Sequence, residues 1–287
     1  MMQTIRHPGP AQQPRSLSHA CHAMQLRLTF QPGRSVLAAI DEALKAKGYD
    51  SAVVQIRGGT FDPLVYVIPA LSEGRVQAAW YSDIRSPAGR APIEELCLTF
   101  GRRDGEPFLH CHGIWRHADG FRAAGHLMPH DARFAEPVEA DVWAISGAVL
   151  DQLEDEETLF KLFTPVATAS APPASARRAV LCRIKPNEEI NGTIERIARE
   201  HGIENATLHG IGSLVGCDFV DGAYMSSIAS ELYIRSGKVW TQNGTIRSML
   251  DIAIVDIHGQ VFEGEIVRGR NNVCVTFELL IVENDPA

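Results

Sequence analysis

Three histidines lie close together in the stretch "LHCHGIWRHADGFRAAGHL", which begins at Leu109. His110 and His112 are two residues apart, and His126 follows after a short polar loop. Alternate residues of a β-strand project to the same face, so His110 and His112 share a side if this segment is extended. Three imidazoles suit Zn, Fe, Ni or Cu and leave a coordination position for water or a ligand. His110, His112 and His126 are therefore candidate metal ligands.

The loop of the hairpin decides whether His126 joins the other two, because a shift of one residue reverses the face that a strand presents. A two-residue turn at Asp119 and Gly120 places His126 opposite Gly113, on the wrong side. A three-residue loop that ends at Gly120 in the left-handed conformation pairs His112 with His126. We expect the three-residue loop and a shared metal site. The alternative is a set of surface or hydrogen-bonded histidines that hold no ion.

Two segments of the chain show the same order of elements. "FQPGRSVLAAIDEALKAKGYDSAVVQIRGGT", from Phe30, aligns with "IKPNEEINGTIERIAREHGIENATLHGIGSL", from Ile184. In each segment a strand leads through a proline turn into a helix with apolar residues at helical spacing, and the helix ends at Gly48 or Gly202. An apolar strand follows, "SAVVQI" or "NATLHGI". The pattern indicates an internal tandem repeat.

The later parts of the two copies also correspond, since "HGIWRHADGFRAAGHL" aligns with "DIAIVDIHGQVFEGEI" as a second hairpin. The predicted fold is therefore α+β, with two similar domains that each pack one main helix on a mostly antiparallel sheet. In the second copy the three histidine positions hold Met249, Asp251 and Glu265. Asp251 and Glu265 are expected to be solvated, with a hard-cation site as the alternative. We expect any chemistry to lie in the first domain.

Composition suggests the domain boundaries. Residues 1–25 are rich in proline and polar residues, which predicts a flexible N-terminal segment. The first domain is predicted over residues 26–163 and carries the metal site. The Ala, Ser, Thr and Pro-rich stretch 164–178 is predicted to be a linker, and the second domain, with its degenerate site, covers 179–287.

Charge and cysteine usage limit the classes of function. Lys and Arg total 27 against 35 Asp and Glu, a formal net charge of -8, which disfavours nucleic acid as a partner. The six cysteines form no C-x-x-C pair, so we expect reduced thiols and a cytoplasmic protein. A bilayer span needs about 20 consecutive apolar residues. The chain has no such run, so we expect no membrane role.

The region around the histidines resembles the plant and prokaryote conserved (PPC) domain. The resemblance rests on the "EELCLTFG" strand at 94–101, the His-x-His strand, the Asp-Gly turn and the closing Gly-His-Leu, and it extends from about residue 26 as two tandem copies. It implies an α+β fold that forms homotrimers. It also implies that the histidines matching His110, His112 and His126 bind a divalent metal, with zinc expected.

The sequence departs from the family's pattern at several positions. Two residues separate Pro107 from His110, where a proline usually precedes the first histidine directly, and Ala124 stands at the first glycine of the usual Gly-Gly-His. The chain also has no Arg-Gly-Arg-Pro core of the AT-hook that accompanies this domain in plant nuclear proteins. The first two departures concern the metal site, and the missing AT-hook core concerns DNA binding.

Three functions follow from these features. The first is a regulatory or binding module whose metal-centred site receives a small ligand or a protein. The second is a metal-dependent enzyme, of hydrolase or lyase type, in which the ion activates water. Its catalytic residues are not assigned, and Glu94, Glu95 and Asp83 are the nearest carboxylates in the sequence. The third, a transcription-related DNA-binding protein, is disfavoured by the net charge.

Overall fold

The structure is a computed structural model that describes residues 3–285. Residues 1–2 of the predicted N-terminal segment and residues 286–287 of the predicted second domain lie outside the described residues. The first half contains, in chain order, β1 (Ser16–Phe30), α1 (Val36–Lys45), β2 (Ala52–Arg57), β3 (Thr60–Phe61), β4 (Tyr66–Val67), β5 (Pro69–Leu71), β6 (Ala79–Tyr81), β7 (Ala91–Arg103), β8 (Glu106–Arg116), β9 (Arg122–Leu127), β10 (Val138–Ser146), β11 (Ala148–Glu154) and β12 (Lys161–Ala167).

The second half continues with β13 (Arg177–Ile184), α2 (Ile190–Glu200), β14 (Ala206–Val215), β15 (Cys217–Asp218), β16 (Tyr224–Met225), β17 (Ser230–Gln242), β18 (Thr245–Asp256), β19 (Val261–Glu265) and β20 (Asn272–Glu283). Neither helix in the described range is long and apolar enough to cross a membrane. All six cysteines are free and buried.

The two halves arrange their strands in the same order. The first half runs β1-β10-β2-β7-β8-β9 across its sheet, and the second runs β13-β20-β14-β17-β18-β19, with antiparallel neighbours throughout. In each, the single helix follows the first strand of the list. The predicted α+β class with two similar domains is confirmed. We call the two halves the first and second domain.

Strand β1 joins the two sheets. Its later part pairs with β10, and its earlier part, from Ser16 to Ala23, pairs with β13 of the second domain. The prediction of a flexible segment over residues 1–25 is therefore wrong for the described part. Residues before the strand are also anchored, since the Ile5 amide donates to Asn187 at 2.9 Å. The reason is tertiary: local polarity suggested a free segment, but β13 offers this stretch a strand edge to pair with.

The other predicted boundaries shift for a similar reason. The linker predicted over residues 164–178 is strand at both ends, because β12 extends to Ala167 and β13 begins at Arg177. Residues 168–176 connect them outside any strand.

Each predicted helix end is confirmed by a glycine with positive φ, +80° at Gly48 and +64° at Gly202.

Each sheet has one face against its own helix and the other face against the partner domain. Buried apolar residues of α1 and of α2 form two separate helix-side cores with their own sheets. A third core lies between the two sheets and includes Cys97 and Ile114 from the first domain and Tyr233 and Val255 from the second. The layers therefore follow the order helix, sheet, sheet, helix. Polar groups that face this central layer are removed from bulk water by both domains.

A buried ion pair fastens the end of the first domain to the second. Arg183 on β13 donates to Asp155, just after β11, at 2.6 Å, and the side chains are 3% and 5% exposed. Burial acts to raise the pKa of Asp155, but the charge of Arg183 and the hydrogen bonds from Thr158 outweigh it and leave this pKa below its ordinary value. If either side chain of this pair were removed, the other would remain in the interior as an uncompensated charge.

Replacing Arg183 with methionine removes one partner and leaves the Asp155 carboxylate buried. We expect Arg183→Met to lower the free energy of unfolding by about 3–5 kcal/mol, measured by urea denaturation at pH 7. The control is Arg27→Met, which breaks a pair with Glu139 whose side chains are both 64% exposed. That change is expected to have a much smaller effect, because solvent screens an exposed pair. Equal costs for the two variants would contradict the role given to burial.

Because of His209 on β14, we expect the free energy of unfolding to fall in acid. Its ring lies 5.5 Å from that of Trp143, and burial lowers the pKa of His209 to about 4. Since the unfolded chain takes up this proton near pH 6.5 and the folded chain does not, stability is lost as pH falls from about 6.5 towards about 4.

We expect His209→Gln to remove part of this acid sensitivity. Between pH 7.5 and 5.5 the variant should lose about 1 kcal/mol less unfolding free energy than the wild type, measured by urea denaturation at both pH values. His258→Gln, at an exposed histidine, is the control and should follow the wild type. If His209→Gln also follows the wild type, the pKa of His209 is the same in the folded and the unfolded chain.

Candidate metal centre

The β8–β9 hairpin closes with the predicted three-residue loop. The Gly120 amide donates to the His117 carbonyl at 2.9 Å, and the His117 amide donates to the Phe121 carbonyl at 2.9 Å. Gly120 has φ +87°, the left-handed conformation that this loop requires. His112 is consequently paired directly with His126. The predicted register is confirmed.

The three histidine rings meet on one face of the sheet. Ring centroids are 4.5 Å apart for His110 and His112, 4.9 Å for His110 and His126, and 5.4 Å for His112 and His126. Glu231, on β17 of the second domain, completes the group, and one ligand atom from each of the four residues lies within 4.8 Å of the others. This group could hold a metal ion. It draws on both domains, whereas the sequence placed the chemistry in the first alone.

Hydrogen bonds on the far side of two rings fix the direction in which they face. The Nδ1 atom of His112 lies 2.8 Å from the Leu232 carbonyl oxygen, which only accepts, so this nitrogen carries a hydrogen and donates. The Nδ1 atom of His110 donates to Glu278 Oε1 at 2.9 Å. The two Nε2 atoms then face each other at 2.9 Å. In neutral rings both would present lone pairs, which repel unless a proton or a cation lies between them.

The surroundings of the cluster fit a metal ion. Two imidazole nitrogens on one tetrahedral zinc are about 3.3 Å apart, given Zn–N bonds of about 2.0–2.1 Å, so the observed spacing is close to that of a ligand pair. Glu231 Oε2 contacts His112 Nε2 from the other side. His126 has a buried Nδ1 with no hydrogen-bond partner. A carboxylate that orients a ligating histidine, as Glu278 orients His110, is typical of metal sites.

The electrostatics of the histidines differ. Burial acts to lower the pKa of His110, but the charge and hydrogen bond of Glu278, with the charge of Glu231, outweigh it and raise this pKa above its ordinary value. Burial, followed by the charges of His110 and His112, holds the pKa of His126 well below its ordinary value. His126 is therefore neutral at pH 7, the form in which an imidazole binds a metal.

A cavity of about 510 Å³ opens onto the cluster, with His110, His126, Glu231 and Glu278 in its wall. Its other walls come from the β5–β6 hairpin, the β11–β12 hairpin and the second domain; they include Trp80, Tyr81, Phe108, Phe160, Lys161 and Thr276. The volume falls within the range of about 300–1,000 Å³ that is usual for small-molecule sites. The cluster is thus reachable by a small ligand.

The carboxylates nearest in sequence are placed elsewhere. Glu94 accepts from Arg116 and Arg122 at 2.7 Å, and Glu95 accepts from the Tyr233 hydroxyl at 3.0 Å. Glu94, Glu95 and Asp83 are absent from the wall of the 510 Å³ cavity. They are therefore poor candidates for an acid or base at this centre.

The second copy shows the predicted register without a comparable group. Asp251 lies directly opposite Glu265, as the alignment of the hairpins requires. Arg235 approaches Asp251 at 3.6 Å. Over residues 3–285, the His110, His112, His126 and Glu231 group is the one that could hold a metal ion.

Sequence reasoning missed Glu231 and Glu278. Glu278 carried a readable signal, because it is the lone charged residue in the apolar run "VCVTFELLIV" and such charges are buried only when paired. It is 1% exposed and also accepts from the Thr99 hydroxyl. Glu231 carried no comparable signal, since it stands at the start of a strand with mixed polarity. Only the packing of β17 against β8 brings it to the histidines.

The second domain is similar in sequence to a known family. Residues 172–285 match the family model of the Plants and Prokaryotes Conserved (PCC) domain, also written PPC. No curated protein matches the sequence.

Solved structures of PPC-like proteins are similar to about half of the chain. A plant- and prokaryote-conserved (PPC) protein from Pyrococcus horikoshii is 17% identical, covers 52% of this chain and 97% of its own, and has a TM-score of 0.42. A metal-containing protein from Archaeoglobus fulgidus is 20% identical, covers 56% of this chain and 99% of its own, and has a TM-score of 0.39.

The role of Glu278 gives a prediction about stability. Glu278→Gln keeps the shape of the side chain but removes the charge that accepts from Thr99 and His110. We expect the free energy of unfolding to fall by about 1.5–3 kcal/mol, the usual contribution of hydrogen bonds to a charged group, in urea denaturation with EDTA present. The control, Glu283→Gln on the same strand, breaks a pair with the half-exposed Arg178 and should cost at most about 1 kcal/mol. A neutral Glu278→Gln would show that this carboxylate does not hold His110.

Proposed function

We propose that His110, His112, His126 and Glu231 bind one divalent transition-metal ion, with zinc expected, and that the protein is a binding module whose small ligand reaches the ion through the cavity. The observation that supports this most strongly is the pair of Nε2 atoms of His110 and His112 at 2.9 Å, with both Nδ1 atoms already donating elsewhere. A metal ion can accept the lone pairs of both nitrogens.

Each residue has a distinct part in this proposal. The three imidazoles supply neutral nitrogen ligands, and Glu231 supplies a carboxylate that offsets part of the ion's charge. Glu278 and the Leu232 carbonyl hold two of the rings in the binding orientation and fix their tautomers. When bound, the ion supplies Lewis-acid chemistry to an oxygen atom placed next to it.

A second candidate function is a metal-dependent hydrolase or lyase. The phenol of Tyr81 favours it, because Tyr81 lines the cavity beside the cluster and its ring centroid lies 5.0 Å from that of His126. Burial, with the charges of Glu231 and Glu278, raises the pKa of Tyr81 well above its ordinary value. The phenol is therefore protonated at pH 7 and can donate to a ligand oxygen. Turnover of a ligand that is lost in Tyr81→Phe would favour the enzyme over the binding module.

The remaining features of the proposal concern ancestry and assembly. The same strand order in both domains and the constant offset between residues 30–60 and 184–214 support a tandem duplication. The resemblance to the PPC domain supports a homotrimer, with a small molecule or a protein as ligand. DNA binding stays disfavoured, because a net charge of -8 repels phosphate. Light scattering on the purified chain measures the oligomeric state.

Elemental analysis of untagged protein tests the metal site. We expect about one equivalent of metal per chain in the wild type and its loss in His112→Ala, since a ligand is removed. Glu278→Gln should weaken metal affinity about 10–100-fold, as is usual for a group that orients a ligand. The matched control is His258→Ala, at an exposed histidine in the equivalent loop of the second domain, which should keep the wild-type metal content. Equal trace metal in all four proteins would refute the proposal.

A further inference from the structure

We propose that the cavity beside the metal centre binds a small planar aromatic carboxylate, with its carboxylate at the ion and its ring against an aromatic wall. This inference rests on the proposed metal site and adds the chemical class of the ligand. It is carried by three features of the cavity: an aromatic wall, a buried hydroxyl without a hydrogen-bond partner, and cationic side chains in the lining.

Two stacked rings form the aromatic wall. Trp80 on β6 and Phe160, between β11 and β12, lie 5.4 Å apart with an interplanar angle of 19°, and both line the cavity. Phe108 on β8 lines it as well and packs against Phe163 at 6.0 Å. Rings from three separate segments thus border one space. Aromatic surfaces prefer offset-stacked or edge-to-face contact with another ring, so this lining favours a planar, unsaturated body over a saturated one.

One buried hydroxyl in the cavity wall lacks a hydrogen-bond partner. Thr276 is 4% exposed, lines the cavity, and has a buried Oγ1 with no hydrogen-bond partner. A buried hydroxyl without a partner costs free energy, so a ligand atom that pairs with it is favoured. Tyr81, which carries a phenol hydroxyl, lines the same space. Two donors beside a metal ion match the oxygens of a carboxylate, which can accept from a donor and bind the ion together.

Cationic side chains favour an anion in a protein that is otherwise acidic. Arg103 and Lys161 both line the cavity. The carboxylates near Lys161 belong to Asp104 at 3.0 Å and Glu154 at 3.8 Å, and these are 69% and 75% exposed, so solvent screens them strongly. Against a net charge of -8, these cations provide local attraction for a singly charged ligand.

The expected ligand is therefore compact and carries one negative charge. Glu231 and Glu278 offset the two positive charges of the metal ion. Glu154 in the wall offsets one of the two cations Arg103 and Lys161, so the lining suits one negative charge rather than a polyphosphate. A volume of about 510 Å³ accommodates a ligand with one or two rings.

Calorimetric titration tests this with the full chain after its metal content has been measured on the same sample. The probes are benzoate, trans-cinnamate and 2-naphthoate, each compared with its saturated or uncharged counterpart: cyclohexanecarboxylate, 3-cyclohexylpropanoate and 2-naphthol. We expect at least one aromatic carboxylate to bind at least tenfold more tightly than its counterpart. Binding should be lost after the metal is removed with EDTA.

Variants separate the cavity from the rest of the surface. Trp80→Ala is expected to weaken binding of the preferred aromatic carboxylate at least tenfold and to leave the metal content unchanged. Phe160→Leu, a milder change in the same wall, should weaken it in the same direction if Trp80→Ala proves unstable. Trp240→Ala is the control, because Trp240 lies on β17 outside the cavity, and it should bind as the wild type does.

The outcomes distinguish the two proposals. Protein without stoichiometric metal overturns the proposed function and, with it, the ion-bound carboxylate. Protein with metal that binds none of the three aromatic carboxylates, or binds them no better than their counterparts, overturns only the ligand class. The same holds if Trp80→Ala and Phe160→Leu bind as tightly as Trp240→Ala, because the aromatic wall would then have no part in recognition.

Discussion

Pairing of β1 with β13 places the sheet of one domain against the sheet of the other, and the candidate metal site depends on this contact. The histidines stand on the face of the first sheet that turns away from its helix. Without the second domain that face would lie in water, and Glu231 and Glu278 would be missing from it. Covering by the second sheet removes the rings from bulk solvent, which strengthens every electrostatic interaction among them.

The second domain therefore contributes carboxylates to the histidine cluster of the first domain and has no such cluster of its own within the described residues. Its own hairpin holds Met249, Asp251 and Glu265 at the positions of the three histidines, so it lacks the imidazoles of a comparable centre. Its strands β17 and β20 instead supply one carboxylate to the cluster and one that orients His110.

The balance of charge at the centre suits an ion better than protons alone. Two carboxylates face a group of three imidazoles, and His126 is held neutral by burial and by its neighbours. The proposed divalent cation would satisfy the facing nitrogens and both negative charges without adding hydrogens to a crowded space. With that ion bound, the adjoining cavity would connect a Lewis acid to a wall that contains aromatic rings, a combination suited to recognising a small organic anion.

The sequence by itself determined the local features: the two-domain α+β class, the glycines that end the helices, and the register of His112 against His126. These depend on periodicity and on the φ angle of Gly120, which neighbouring residues dictate. It could not determine that residues 16–25 form a strand, nor that Glu231 and Glu278 approach the histidines. Those contacts join residues more than a hundred positions apart, and only the packing of two complete sheets brings them within hydrogen-bond distance.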